Sequence, residues 1–216
     1  MSSSNQATPS GSLVEFPNNR GGLLMGNRGI LHPKHFDLEQ PHALKAWIAC
    51  VLKDKDNVPI PPSDVKYTKL FFLDEVTAFA AGHRPCGQCQ RKRYGVFSEI
   101  WGKATGHDTA KIDAFLQAER VDTQRNGARP VVVRKLANLP SGAMVTLVRS
   151  GPPYLLLWGK LFPWSAGGYG KPITMPSATE VQLLTPPSII ETFLAGFPLP
   201  INVETTVHAS VLEYAG

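Results

Sequence analysis

Cysteine is scarce in this chain, with three among 216 residues, at positions 50, 86 and 89. So small and odd a number excludes a disulfide framework and suits a reducing compartment, so a cytoplasmic protein is expected. Long apolar runs are missing too. None approaches the roughly 18 residues that a membrane-spanning helix needs, so no membrane partner is expected. The opening Met1-Ser2-Ser3-Ser4-Asn5 has neither a cationic nor an apolar segment of the kind that directs secretion. G-x-S-x-G, H-E-x-x-H, G-x-G-x-x-G and the P-loop pattern are all absent, and no internal repeat is evident, so the common signatures of hydrolases, zinc proteases and nucleotide-binding folds are not available.

What is present describes an ordinary globular chain. Hydrophobic residues make up 43%, enough for a buried core in one or two domains. Twenty-two Lys and Arg against 17 Asp and Glu leave a net charge of +5. That excess permits DNA or RNA as a partner without requiring one. Its distribution is more telling. Arg84, Arg91, Lys92, Arg93 and Lys103 face only Glu99 as an acidic counterpart between positions 84 and 103.

Residues 1–20 are rich in Ser, Asn, Pro and Gly and read as a flexible tail. Residues 21–32 suggest two short strands about a glycine turn. Ala46–Leu52 is an apolar run of strand length, residues 54–64 form a proline-rich loop, and Tyr67–Phe72 is another strand. Asp74 is a suitable N-cap and Gly82 a suitable stop for a helix over 75–81. Tyr94, Phe97, Trp101 and Ala104 recur at helical spacing, which predicts an amphipathic helix from about Gln88 to Lys103. A third helix is expected from Thr109 to Arg120, with Asp108 as its cap. Short strands follow at 131–133, 144–148, 154–158 and 181–184. Ser188-Ile189-Ile190-Glu191 has the form of a capping box opening a last helix that ends at Gly196. The fold class is α+β: a mixed α/β module over 21–125 followed by a β-rich region over 126–216, which either form two units or pack as one.

The chemistry concentrates at Cys86-Gly87-Gln88-Cys89. A C-x2-C turn presents two thiolates to one metal ion and so supplies half of a tetrahedral site. A second such pair is lacking. Redox-active or inert buried thiols are the alternatives, although a redox pair ordinarily follows a strand and opens a helix in a βαβ setting, whereas here a helix precedes it. Arg91, Lys92 and Arg93 in the first turns of the following helix oppose its dipole, at a cost of roughly a few tenths of a kcal/mol each. An anionic thiolate centre at the same end offsets that cost.

Phe71-Phe72-Leu73-Asp74-Glu75, followed by Ala80-Ala81-Gly82-His83-Arg84-Pro85-Cys86-Gly87-Gln88-Cys89, resembles the second half of the Ada-type metal-binding domain. In that family an aromatic strand leads into a helix, an aromatic residue and R/K-P-C-x-x-C. The likeness spans residues 67–94, with His83 at the aromatic position. It implies a tetrahedral zinc ion in a small sheet with flanking helices, in a DNA-binding or repair setting. The family's upstream cysteine pair, one member of which accepts the methyl group in the repair proteins, is missing here, so methyl-transfer activity is not carried over. The first ligand set is then Cys86, Cys89, Cys50 and His32, with His35 as the alternate histidine. A competing set joins His32 and His35 to the C-x2-C pair and leaves Cys50 in the core. Either set forms a closed, structural site. His42 and His107 are expected in surface or capping roles, and His83 as a packing ring.

Arg84, Arg91, Lys92 and Arg93, with Tyr94 and Trp101 on the same helix, form a candidate phosphate-contacting face. A solvated helix face accounts for them equally. The run Trp158–Lys171, dense in aromatics and glycines, is either a pocket wall of an enzyme acting on a small molecule or nucleic acid, or a hairpin whose rings cover the core. Asp113, Glu119, Arg120 and Asp122 around the third helix are either a catalytic group or an exposed helix flank.

Overall fold

In the computed structural model, which describes residues 3–17, 24–31, 42–52, 67–121, 129–147 and 151–198, the first helix after the aromatic strand is short but central. Asp74 turns the chain out of strand β5 (Leu70–Phe72) into α1 (Glu75–Ala80), its Oδ1 accepting the Thr77 N–H at 2.7 Å. Such a cap is worth about 1 kcal/mol. Every residue of α1 is buried. Val76 and Ala80 join one apolar cluster, Phe79 a second and Ala78 a third. The three clusters meet on this helix, whose apolar residues point to all of them.

The upstream sheet contains β1 (Ser3–Ala7), β2 (Leu13–Pro17), β3 (Leu24–Asn27), β4 (Ile48–Val51), β5 and β6 (Arg84–Pro85). Their order is β2-β1-β5-β3-β4-β6, with β1–β5 and β4–β6 parallel and the other pairs antiparallel. Gly26 lies at the crossing of β3 and β5, where a Cβ would come within 2.6 Å of the Phe72 ring. Of residues 1–20, expected as a tail, those described form a hairpin instead: Ser3–Ala7 pairs with Leu13–Pro17, and Gln6 registers with Phe71. Local composition offered no apolar alternation to signal it, and pairing with β5 supplies the missing support.

Two helices follow the cysteines. They are α2 (Arg91–Thr105) and α3 (Ile112–Arg120), the latter entered through a 3-10 turn at Thr109–Lys111. Gln90 is the N-cap of α2 and makes no side-chain cap bond. The C-terminal half supplies β7 (Val133–Lys135), β8 (Met144–Thr146), β9 (Pro153–Leu157), β10 (Lys160–Ser165), β11 (Gly168–Tyr169), β12 (Glu180–Leu183) and α4 (Pro187–Leu194). Its sheet runs β11-β10-β9-β8-β12-β7, antiparallel throughout. The α+β class expected from the sequence is therefore the class observed.

The core does not divide near residue 125. Leu73, Val76 and Ala80 pack with Met144, Leu155, Phe162 and Trp164, while Phe79, Phe97 and Trp101 pack with Ile189 and Phe193. Polar bonds cross the same boundary. The Tyr169 hydroxyl donates to Asp74 Oδ2 at 2.8 Å, and Trp164 Nε1–H donates to Thr77 Oγ1 at 3.1 Å. Burial, first among several influences, lifts the Asp74 carboxyl above its usual range. Arg129 Nη1 donates to the carbonyls of Pro9, Ala80 and Leu184, which ties the N-terminal hairpin and the end of α1 to the chain just past β12.

The last helix does not use the expected capping box. Pro186 occupies the N-cap position and Ser188 lies inside the first turn of α4. A carboxylate from α3 serves that helix end: Glu119 Oε1 accepts the Ser188 N–H at 2.8 Å and Oε2 accepts its hydroxyl at 2.7 Å. A local motif gave way to a tertiary cap that offers a full negative charge to the positive end of the helix.

Candidate metal centre

The parallel pairing of β4 with β6 places Ile48 opposite Arg84 and Ala49 opposite Pro85. One step further along both chains are Cys50 and Cys86. The Ala49 carbonyl accepts the Cys86 N–H at 2.9 Å and Gln90 Nε2–H at 2.8 Å, so one oxygen holds both ends of the cysteine turn against β4. Within the turn the Gln90 N–H closes back on the Cys86 carbonyl at 3.0 Å, and the Gln88 N–H points at Cys86 Sγ at 3.4 Å. Cys86 is buried, Cys50 half-buried and Cys89 exposed, and all three are free thiols.

Their three sulfurs lie within 4.8 Å of one another. A tetrahedral zinc with Zn–S bonds of about 2.3 Å spaces its sulfurs by roughly 3.8 Å, so the observed cluster fits such an ion after a small contraction. The protonation equilibria agree with that fit. Hydrogen bonds from Cys50, then Cys89, hold the Cys86 thiol well below its ordinary range, and the same contacts push Cys50 far above it. A divalent ion held by Cys50, Cys86 and Cys89 would take the place of thiol protons and let the three sulfurs bind it as thiolates. Tyr67 stands close enough for the cysteines to raise its phenol, after burial as the larger cause.

Cys50 thus joins Cys86 and Cys89, as in the first of the two expected ligand sets. His32 and His35 lie outside the described residues, as does Asp122. His83 does not enter the cluster. It is fully buried as a packing ring, 4.6 Å from Phe72 and 5.3 Å from Trp47 between ring centres. Arg28 Nε–H donates to His83 Nε2 at 3.2 Å, which requires that nitrogen to be unprotonated. Burial, then the charges of Arg28 and Arg120, hold His83 well below its ordinary pKa.

The four expected phosphate-contacting cations separate into two kinds. Arg84 is committed to Asp113, with Nε and Nη2 donating at 2.8 Å each to the two carboxylate oxygens. Arg93 is committed to Glu75 at 3.0 and 2.9 Å and donates to the Pro198 carbonyl as well. Arg91 and Lys92 are exposed. Sequence reasoning placed all four on one face because the fork-shaped partners, Asp113 and Glu75, come from other elements.

Behind the turn lies a polar assembly that the sequence did not reveal. The guanidinium groups of Arg28 and Arg120 lie 3.9 and 4.2 Å from the Trp47 ring centre. Arg120 Nη1 donates to the Gly82 carbonyl at 2.5 Å, and its Nη2 donates to the Lys45 carbonyl at 2.7 Å and to Gln117 Oε1 at 2.9 Å. Gly82, with φ at +82°, is the residue over which Arg120 passes. Of the acids expected as a group near α3, two have structural partners: Asp113 pairs with Arg84, and Glu119 caps α4.

The aromatic run of the C-terminal half covers the core. Phe162, Trp164 and Tyr169 are buried with Leu155 and Val76, and Trp158 alone of the run's tryptophans is exposed. A half-open cavity of about 270 Å³ nearby is lined by Leu136, Leu139, Leu156 and Met175, and it shares only Gly159 with that run. Of the two readings the sequence left open for this run, the rings take the second and cover the core, packed against α1.

Comparison with protein-family models, with curated proteins and with solved structures returned no match. What the fold and site define is thus a three-cysteine group able to hold a metal ion, built between a strand and a C-x2-C turn at the start of a helix. No helix among the described residues is long and apolar enough to cross a membrane.

Proposed function

We propose that this chain is a zinc-stabilised nucleic-acid-binding protein whose metal ligands are Cys50, Cys86, Cys89 and an upstream histidine, His32 or His35. The observation that carries the reading is the convergence of three sulfurs within 4.8 Å, Cys50 joining a C-x2-C pair that lies 36 and 39 residues further along the chain. A soft, three-thiolate donor set suits zinc among the common divalent ions, and bound zinc supplies cross-linking of its ligands. The residues themselves do the positioning. Ala49 holds the turn, Cys50 anchors it to β4, and the turn aims the first residues of α2 outward. Arg91 and Lys92 are exposed there, and they make the phosphate contacts. Thiols held reduced for metal binding accord with a cytoplasmic setting.

Elemental analysis of the purified full chain is expected to find one zinc per molecule, and a preparation with no stoichiometric metal refutes the centre. For the partner, binding to duplex DNA should weaken with salt with a log–log slope near −2, about 0.9 for each of two phosphate contacts. Arg91→Gln and Lys92→Gln should each flatten that slope by about one contact. Affinity that does not change with salt, or with either substitution, refutes the helix as the contact.

A further inference from the structure

We propose that Cys89 is an oxidation site for peroxide, with Cys86 as its resolving thiol, and that the Cys86–Cys89 disulfide so formed expels the metal. The ion's release rests on the metal-centre reading, whereas the disulfide stands on the sulfur geometry alone. Three observations select this pair. Cys89 is the exposed member of the cluster and Cys86 the buried one. Their sulfurs are within 4.8 Å, and only two residues separate them in a turn. Cys50, by contrast, belongs to a strand laddered on both sides, with Met25 as its β3 register partner and β6 beside it. Cys50 is thus held in a paired strand, whereas Cys86 and Cys89 belong to one short turn.

Oxidation of thiols follows thiolate character and exposure, and a nearby second thiol diverts the product to a disulfide. A metal-bound cysteine is a thiolate. Cys89 also immediately precedes Gln90, the N-cap of α2, with Arg91 and Lys92 exposed beyond it. In the first step the Cys89 thiolate attacks a peroxide oxygen. The O–O bond breaks, hydroxide leaves and takes up a proton, and Cys89 becomes a sulfenic acid. In the second step the Cys86 thiolate attacks that sulfur, the S–S bond forms, and hydroxide departs and is protonated to water. Two thiolates have lost two electrons to one hydrogen peroxide, giving one disulfide and two waters.

The metal then keeps one of its three cysteine ligands. The turn keeps its protein contacts, because the bonds to the Ala49 carbonyl come from the Cys86 N–H and from Gln90, not from sulfur. Reduction therefore finds the turn still docked, and the site reassembles.

The experiment treats the zinc-loaded full chain with a small molar excess of hydrogen peroxide. Released metal is followed with a chromogenic chelator, and disulfides are mapped by mass spectrometry without reduction. Release of one zinc per chain, a Cys86–Cys89 linkage, alkylation of Cys50 alone, and metal rebinding after dithiothreitol and zinc are expected. Retained metal, a linkage through Cys50, or Cys89 carried to sulfinic acid in place of the disulfide overturns the proposal. A chain that purifies without metal would refute the metal centre, yet the same peptide map still decides the disulfide. A Cys89→Ser chain should form no intramolecular disulfide under this treatment, and formation of a Cys50–Cys86 bond there would show that the turn geometry is not selective.

Discussion

Replacing Gly82 with Ala is expected to destabilise the protein by about 3–5 kcal/mol, most of it through Arg120 rather than through the backbone. Gly82 has φ at +82°, where an L side chain costs about 1–2 kcal/mol. The new Cβ would lie 2.1 Å from Arg120 Cδ and 2.6 Å from its Cγ, so one of the two must move. Arg120 has little freedom to do so. It is buried, its Nη1 is bonded to the Gly82 carbonyl itself, and its Nη2 is bonded to Lys45 and Gln117. Pushing it aside strands part of a guanidinium, and each hydrogen bond to a charged group that is lost costs about 1.5–3 kcal/mol. That loss is a large share of the roughly 5–15 kcal/mol that holds a domain together.

A double-mutant cycle separates the two contributions. In an Arg120→Ala background the Cδ and Cγ are gone, and Gly82→Ala should then cost only the backbone strain, about 1–2 kcal/mol. Urea melts followed by tryptophan fluorescence in zinc-containing buffer give the four free energies. Coupling of about 2 kcal/mol is expected. If Gly82→Ala costs the same in both backgrounds to within about 0.5 kcal/mol, the steric argument is wrong. A native-like metal content in the single Gly82→Ala variant would show in addition that β6 keeps its place on β4 when this corner shifts.

Two further outcomes follow from buried charge. His83 titrates well below its ordinary value in the folded chain, so its contribution is complete above pH 6.5 and is lost as pH falls below that, where only the unfolded chain takes the proton. Thermal melts of His83→Phe between pH 7 and 5 should therefore show a flatter pH profile than those of the unmodified chain, whereas superimposable profiles would contradict it. Glu119→Ala leaves the Ser188 N–H and hydroxyl without their acceptors and should cost about 2–3 kcal/mol in urea melts. Glu119→Gln, which keeps one acceptor, should cost less than half as much, and equal costs would remove the carboxylate from the α4 cap.

The parts of this fold that were legible in the sequence are those with a local cause. Asp74 capping α1 needs only a carboxylate three residues from an N–H, and the period of Tyr94, Phe97 and Trp101 marks the buried face of α2. Helix and strand positions in the back half follow from Gly and Pro punctuation. What escaped has a distant cause. The N-terminal hairpin depends on β5, some 65 residues away, the cap of α4 comes from Glu119, and Arg84 and Arg93 find partners on α3 and α1. For Trp164 and Tyr169 a pocket wall and a core-covering hairpin both stayed open, because a ring's partner cannot be read from its neighbours in sequence; here the partners are Thr77 and Asp74. At the candidate site the C-x2-C pair was evident from spacing, whereas the choice between the set with Cys50 and the set that left it in the core turned on the parallel β4–β6 pairing, which brings Cys50 beside the pair.

That pairing also decides what a metal bound at the three sulfurs would do. A zinc finger of a few dozen residues has almost no core, so its metal is its folding energy. Here the two pieces of chain that carry the cysteines are already joined: Arg84 N–H to the Trp47 carbonyl at 3.1 Å, Cys86 N–H to Ala49 at 2.9 Å, and Gln90 to the same Ala49 oxygen at 2.8 Å. Behind them Arg120 pins Gly82 to Lys45, and Ala49 is buried in the same apolar cluster as Phe72 and Ala78. A metal at the three sulfurs therefore locks a joint that hydrogen bonds and packing have closed. It follows that the metal governs the exposed end of the turn, Gly87 to Cys89 and the first residues of α2, far more than it governs the sheet. Those are the residues through which a partner would meet the protein, which is why a thiol chemistry confined to Cys86 and Cys89 can alter the surface while leaving the fold in place.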